Sequence, residues 1–229
     1  MKRNVFYENP NEFKVKQCYK DITELLNSNE KKNYLDIGCA NGSFLNYLKQ
    51  KVHYESNLSG FDIDPDFIKV AKLKVPGVKF YKQNILEPTP PNLKNSFDYI
   101  SLLGVHNNFD DLEPLIKATS LLLAESGKII LFGSFNTGDY DLISRVRRPG
   151  KEKLEIGFNR HSLKSLEKAS NNCGFKDFFI KQFFMREKIE KGEDPLRSYH
   201  LYYDEEKPEN SILRNDIELF CTQFIVIIS

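Results

Sequence analysis

An α/β fold, a parallel sheet with helices on both faces, is predicted by three features of this sequence. Between residues 33 and 135, apolar runs of strand length alternate with helical patterns. Most strands are then followed by a helix, the usual crossover connection of parallel pairing. The first crossover carries a glycine-rich turn, YLDIGCANGSFL (Tyr34 to Leu45). A chain of 229 residues that is 40% hydrophobic and 13% aromatic also has the apolar surface to cover two faces of a sheet.

In chain order, residues 11–29 place Phe13, Cys18, Ile22, Leu25 and Leu26 near helical spacing, which predicts an amphipathic helix ahead of the sheet. NYLDI reads as the first strand and SFLNYLKQ as its helix. LSGFDI and PDFIKVAKLK form the second pair, with Pro65 in the first helical turn, where a missing N–H is tolerated. VKFYKQ is the third strand and FDYISLL the fourth. A long helical pattern follows in DDLEPLIKATSLLLA, and Gly127 is expected to close it with a left-handed cap. GKIILFGSF is the fifth strand.

The second half changes character. Residues 134–157 are polar and carry Arg145, Arg147 and Arg148; HSLKSLEKASNNCG then reads as a helix closed by Gly174. Two further apolar runs, FKDFFIKQFFM and IELFCTQFIVII, flank a charged stretch that reads as an excursion from the sheet. The expected organisation is a single domain over 1–229, with an N-terminal helical cap at 1–30, a variable segment at 134–160 and an insertion at 187–216 before the last strand.

The charges nearly cancel, 33 basic against 32 acidic, with no block of one sign. That argues against a protein whose main work is gripping long nucleic acid. Cys18, Cys39, Cys173 and Cys221 are scattered, without the close pairing that zinc or a redox dithiol needs, so free thiols in a reducing cytosol are expected. No N-terminal apolar h-region and no run of about 18 apolar residues occurs; neither export nor a membrane partner is expected, and a cytoplasmic location is.

In an open parallel sheet, ligands bind where strands end and helices begin. A dinucleotide loop there would set bare backbone and a helix N-terminus against a pyrophosphate. Here Gly38 and Gly42 are present, but Ala40 stands at the middle position, and no Lys-Ser or Lys-Thr pair follows as a P-loop requires. Asp36, two residues before the first glycine, would repel phosphate and attract an ammonium or sulfonium. Asp62, 20 residues after Gly42 at the end of the second strand, can accept hydrogen bonds from both hydroxyls of a ribose. Asn84, at the end of the third, can accept one from an adenine amino group. A cationic amino-acid end, a ribose and an adenine, in that order, describe S-adenosylmethionine.

On these residues the sequence resembles the class I S-adenosylmethionine-dependent methyltransferases, over LDIGCANGSF, GFDIDPDF, YKQNILEP, FDYISLLGVHNNFDD and LLLAESGKIILFGSF. The resemblance runs from about Asn33 to Phe135 and more weakly beyond. It implies a Rossmann-like seven-stranded sheet, mostly parallel, whose seventh strand is inserted antiparallel. It also implies S-adenosyl-L-methionine as cofactor. Asp36, Gly38, Cys39, Ala40 and Gly42 would hold the methionine end, Asp62 the ribose, Ile63 and Ile85 the adenine faces, and Asn84 the adenine edge, with Leu103 beside the cofactor at the end of the fourth strand. Two departures are Ala40, where the family usually has glycine, and Asn84, where it often has aspartate. EDPLRSYHLYYD is similar to a stretch in methyltransferases of surface-sugar biosynthesis.

Methyl transfer is an in-line displacement, so holding acceptor and methyl in line supplies most of the catalysis. A base is needed only for a poorly acidic hydroxyl or an ammonium. The candidates are His106, past the fourth strand, and His161, before a helix; each can equally be a loop or cap residue. No Asn-Pro-Pro-Tyr-type motif, no Pro-Cys nucleophile and no acid cluster for magnesium appears, so no metal is expected. A small polar acceptor methylated on oxygen or nitrogen remains, anionic or sugar-like if Arg145, Arg147, Arg148 and Arg160 present their guanidinium forks to it. Tyr7, Asn107 and Tyr140 would line the same space. Two other classes compete: a non-catalytic binding or regulatory module on the same fold, weakened by the intact Asp36, Gly38, Gly42 and Asp62 set, and an aminopropyl transferase, which needs an acidic acceptor pocket. A nicotinamide dehydrogenase is disfavoured by Asp36 and the glycine spacing.

Overall fold

The computed structural model describes residues 13, 15–26, 29–186, 199–202, 204, 206–207, 212–215 and 222–229. A seven-stranded sheet organises them. Its strands are β1 (Asn33–Ile37), β2 (Asn57–Asp62), β3 (Lys79–Lys82), β4 (Phe97–Leu103), β5 (Leu123–Ser134), β8 (Phe178–Phe183) and β11 (Gln223–Ile228), in the spatial order β3-β2-β1-β4-β5-β11-β8. The first five pair in parallel. β11 slots between β5 and β8 and is antiparallel to both. The mostly parallel, Rossmann-like α/β sheet expected from the sequence is therefore the one observed.

Among the described residues five α-helices cover the sheet: α1 (Gln17–Thr23), α2 (Ser43–Leu48), α3 (Pro65–Lys74), α4 (Glu113–Ser120) and α5 (Leu163–Asn172). Side chains alternate across a strand, and here they feed two cores. Ile129 and Leu131 of β5 join Leu115, Ile116 and Leu166 of α4 and α5, whereas Ile130 and Phe132 join Ile22, Leu45 and Ile68 of α1, α2 and α3. Helices thus lie on both faces. Asp64 caps α3 by accepting from the Asp66 N–H, with Pro65 in its first turn.

Two boundaries differ from the sequence reading. Of the amphipathic segment at 11–29, the described helical residues are the seven of α1, and α4 ends at Ser120, because Leu123 begins the fifth strand and Leu122 just before it is buried. Gly127 consequently caps no helix. Ser126 takes the left-handed backbone, φ 62°, and Gly127 lies in β5, where a Cβ would approach the Phe97 carbonyl to 2.9 Å. Gly174 does close α5, with φ 93°.

The segment after β5 forms a small hairpin, β6 (Arg145–Val146) with β7 (Glu155–Ile156), and a second antiparallel pair joins β9 (Tyr199–Tyr202) to β10 (Ile212–Asn215). Tyr7, Cys221, most of the cap before α1 and most of 187–216 lie outside the described residues. Among the described residues no helix is long and apolar enough to cross a membrane.

Candidate cofactor and acceptor site

β1, β2 and β4 run side by side, so their carboxyl ends bring Asp36, Asp62 and Leu103 to one edge of the sheet. The loop from Gly38 to Gly42 turns over this edge. Gly38 and Gly42 have φ of 72° and 82°, and Ala40, at φ 49°, adopts the same left-handed region without being glycine. The turn is pinned from outside: the N–H groups of Gly38 and Cys39 both donate to the Phe61 carbonyl, at 2.8 and 2.9 Å. A side chain at Gly38 would place its Cβ 2.5 Å from Val105 Cγ2. Gly60, inside β2, meets the loop from beneath, and its Cβ would lie 2.7 Å from Cys39 Sγ. Sequence reasoning passed over Gly60, although a glycine within a strand pattern marks a close approach.

Asp36 is only 3% exposed. Its Oδ1 accepts a 2.6 Å hydrogen bond from the Ser101 hydroxyl on β4, the residue paired with it in register. Burial drives its pKa up to about 7, opposed by the Ser101 bond and reinforced by the charge of Asp62. Asp62 is also shifted upward by burial, while N–H groups of Asp64 and Ala40 oppose the shift. Those two donate at 2.9 Å to Oδ1 and Oδ2 respectively, so each oxygen keeps a lone pair for a ligand hydroxyl. Two carboxylates that repel each other in a sparsely solvated edge are suited to receiving a cation and hydroxyl donors.

Farther along the edge, the Gln83 N–H donates to the Asp62 carbonyl, tying the end of β3 to β2. The Asn84 side-chain oxygen accepts from the Leu86 N–H at 3.1 Å and retains a second lone pair. Ile63 is half-exposed, as an apolar ligand face requires; Ile85 is buried in the core and the half-exposed neighbour is Leu86. Leu103 is partly buried at the end of β4.

Beyond β4 and β5 the chain is tied by a buried polar network. His106 is fully enclosed, its ring stacked on Phe135 at 4.2 Å between centroids and 4° from parallel, and its Nε2 lies 3.4 Å from the Ser134 carbonyl. Burial lowers its pKa to about 3. His161 is buried as well; its Nε2 donates to the Phe109 carbonyl at 2.9 Å, and its Nδ1 faces Asp141 at 3.6 Å. His161 thus meets protein groups through both ring nitrogens, whereas His106 makes only the long Nε2 contact, and its buried Nδ1 has no partner among the described residues. Asn107, also buried, donates from Nδ2 to the Ser134 and Asn159 carbonyls.

Asn159, which sequence reasoning missed, is the hub of the network. Its Nδ2 donates to the Phe109 carbonyl and to Asp110, its Oδ1 accepts from the Ser144 N–H, and its own N–H donates to the Asn107 carbonyl. These partners lie up to 52 residues away in sequence, so no local pattern announces them. The arginines expected to meet an acceptor are partly spent. Arg145 pairs with Asp110, whose carboxyl the guanidinium holds below the usual range, and Arg148 pairs with Glu155. Arg160 is half-buried and Tyr140 is exposed on the outside of the hairpin segment.

The comparisons with known proteins agree with this layout. The chain resembles a solved S-adenosylmethionine-dependent methyltransferase from Methanosarcina mazei, at 16% identity and a TM-score of 0.59, with 93% of this chain and 98% of that one covered. One from Mesorhizobium loti gives 11% identity, a TM-score of 0.61 and coverage of 92% and 96%. Human N-acetylserotonin methyltransferase, solved in complex with S-adenosylmethionine, gives 15% identity, a TM-score of 0.55 and coverage of 72% and 48%. At such identities the likeness is one of fold. No curated protein matches by sequence. The profile of the methyltransferase-domain family, however, matches residues 11–178, well over half the chain. Sheet order, glycine turn and profile coincide, and the chain belongs to the methyltransferase-domain family.

Proposed function

We propose that this methyltransferase uses S-adenosyl-L-methionine and transfers its methyl group to oxygen or nitrogen of a small polar, anionic or sugar-like acceptor. The observation that carries the cofactor assignment is Asp36: a buried carboxylate that, among the described residues, receives a side-chain hydrogen bond from a neutral hydroxyl alone, beside a glycine turn and a second carboxylate. A buried charge calls for an opposite one, and a ligand with a cationic end supplies it. In this reading Asp36, Gly38, Cys39, Ala40 and Gly42 face the amino-acid end, Asp62 the ribose, and Ile63, Asn84 and Ile85 the adenine, with Leu103 near the reacting end.

When bound, the cofactor supplies an electrophilic methyl on sulfur. The chain's own residues position and enclose. Gly38 and Gly42 admit the ligand against the backbone, Asp62 orients the sugar, and the network centred on Asn159 holds the wall of the acceptor side in place. With His161 engaged by the Phe109 carbonyl and Asp141, and His106 fully enclosed against Phe135, alignment of acceptor and methyl is the main contribution, and His106, whose Nδ1 is unpartnered among the described residues, is the remaining candidate for a base. On the acceptor side, Asn107, Tyr140, Arg145, Arg148 and Arg160 remain assigned as a group, with Tyr7. The anionic or sugar-like character rests on the arginines and on the EDPLRSYHLYYD stretch.

Titration calorimetry with S-adenosylmethionine, S-adenosylhomocysteine and NAD tests the assignment. Saturable binding of the first two and none of the third is expected; failure of the first two to bind would sink it.

A further inference from the structure

The hairpin segment that follows β5 has an unusual outer face. From Asp141 to Arg148 burial alternates strictly, with even-numbered residues partly buried and odd-numbered ones exposed. A period of two means that Ile143, Arg145 and Arg147 share one side. The register pairs Arg145 with Ile156, which puts Ile156, and Leu154 two residues before it, on that same side. The solvated face of a small antiparallel hairpin is ordinarily polar. This one instead presents Ile143, Leu154 and Ile156, 42%, 48% and 39% exposed, interleaved with arginine.

Charge is distributed just as unevenly. Arg145 and Arg148 are compensated by Asp110 and Glu155. Arg147, Lys151 and Lys153, at and beside the turn, are exposed and form no ion pair among the described residues. Glu152, exposed between the two lysines, offsets one of these charges, so the turn keeps an excess of two cations beside aliphatic side chains in a chain of net charge +1.

We propose that this face docks on an anionic lipid surface, with Ile143, Leu154 and Ile156 entering the headgroup boundary and Arg147, Lys151 and Lys153 meeting headgroup phosphates. That combination of apolar and basic groups is what a surface-bound, non-spanning element needs. Aliphatic side chains have no role on a nucleic-acid backbone, where contacts are polar and aromatic rings stack on bases. The contact is with the membrane surface and does not involve a span; it revises the expectation of no membrane partner, which rested on the lack of a long apolar run. The face belongs to the segment assigned to the acceptor wall, so docking would bring that wall to the bilayer. The proposal itself does not depend on the cofactor.

The test is co-sedimentation of the full chain with vesicles of phosphatidylcholine alone and of phosphatidylcholine with phosphatidylglycerol. Binding is expected only to the anionic vesicles, and to weaken as salt rises. Arg147→Gln and Lys151→Gln should each lower the partition coefficient roughly fivefold, and Leu154→Ser should lower it without changing its salt dependence. All three should bind S-adenosylmethionine as the parent chain does, so loss of vesicle binding can be told apart from a failed cofactor assignment. No binding to anionic vesicles, or binding that these substitutions leave untouched, overturns the proposal. So does retention on an oligonucleotide in place of vesicles, or a dimer in gel filtration that Leu154→Ser dissolves, since the face would then serve nucleic acid or a second copy.

Discussion

Asp62 and Asp36 sit at neighbouring strand ends, yet their predicted effects differ because their hydrogen bonds differ. Asp62 keeps one lone pair on each oxygen, so Asp62→Ala should remove two charge-assisted bonds to a ribose. That is worth about 3 kcal/mol or more, near a hundredfold in cofactor dissociation constant. An unchanged constant in calorimetry would refute the assignment. Asp36 should make both stability and binding depend on pH. Its carboxyl sits near 7 in the fold against 3.8 as a free group, so the folded state holds its proton more tightly than the unfolded chain does. The stability it contributes is fully present below pH 3.8, falls as pH rises toward 7, and levels off above. A cationic ligand favours the carboxylate, so cofactor affinity should move the opposite way, rising over the same range with release of a proton. Urea unfolding at about pH 5 and about pH 8 should show that decline, and Asp36→Asn should flatten it. Calorimetry in two buffers of different ionisation enthalpy reads the proton. The sequence displays Asp36 and its glycine turn plainly. It does not display Ser101, 65 residues on, or the burial that raises the pKa; both follow from the β1–β4 register.

Among the elements, those read most closely from sequence are the ones whose local signals agree with their packing. β1, β4 and α3 occupy the residues their apolar periodicity and caps indicate. The end of α4 was misread because LLLA fits a helical or a strand period equally well, and only its place beside Phe97 on β4 resolves the choice. Residues 134–160 read in the sequence as a polar, variable stretch. It is instead fastened at its base: Asn136 donates to the Tyr140 and Arg160 carbonyls, and Asn159 bridges to Phe109, Asp110 and Ser144. Asn159→Ala deletes three side-chain bonds in a fully buried position. At about 1 kcal/mol each it should destabilise the segment by roughly 3 kcal/mol. Faster hydrogen exchange confined to residues 139–158, with β1 and β4 unaffected, is the expected readout; uniform protection across both regions would show that the hub carries no such weight.

At the scale of the molecule, the arrangement turns on β11. It pairs six residues with β5 and six with β8, so the last strand of the chain joins β8 to the rest of the sheet. Val226→Pro in its middle removes a ladder donor and clashes in a strand flanked on both sides. Circular dichroism should show loss of the cooperative thermal transition, and a melt like that of the parent chain would mean that β11 is not central. The amino-acid sequence by itself determined the α/β class, most strands and helices of the first half, and the glycine turn with Asp36 at the end of the first strand. These are encoded in short-range periodicity, glycine and proline placement, and charge, all of which act within a few residues. Tertiary structure alone decided what required distant residues to meet: that Ser101 is the partner of Asp36, that His106 and His161 are enclosed by Phe135 and the Phe109 carbonyl, that two arginines are already neutralised, and that an aliphatic, cationic face is left open. Hydrogen bonds and burial form wherever the sheet order brings side chains together, and that order is set by pairing between strands far apart in the chain.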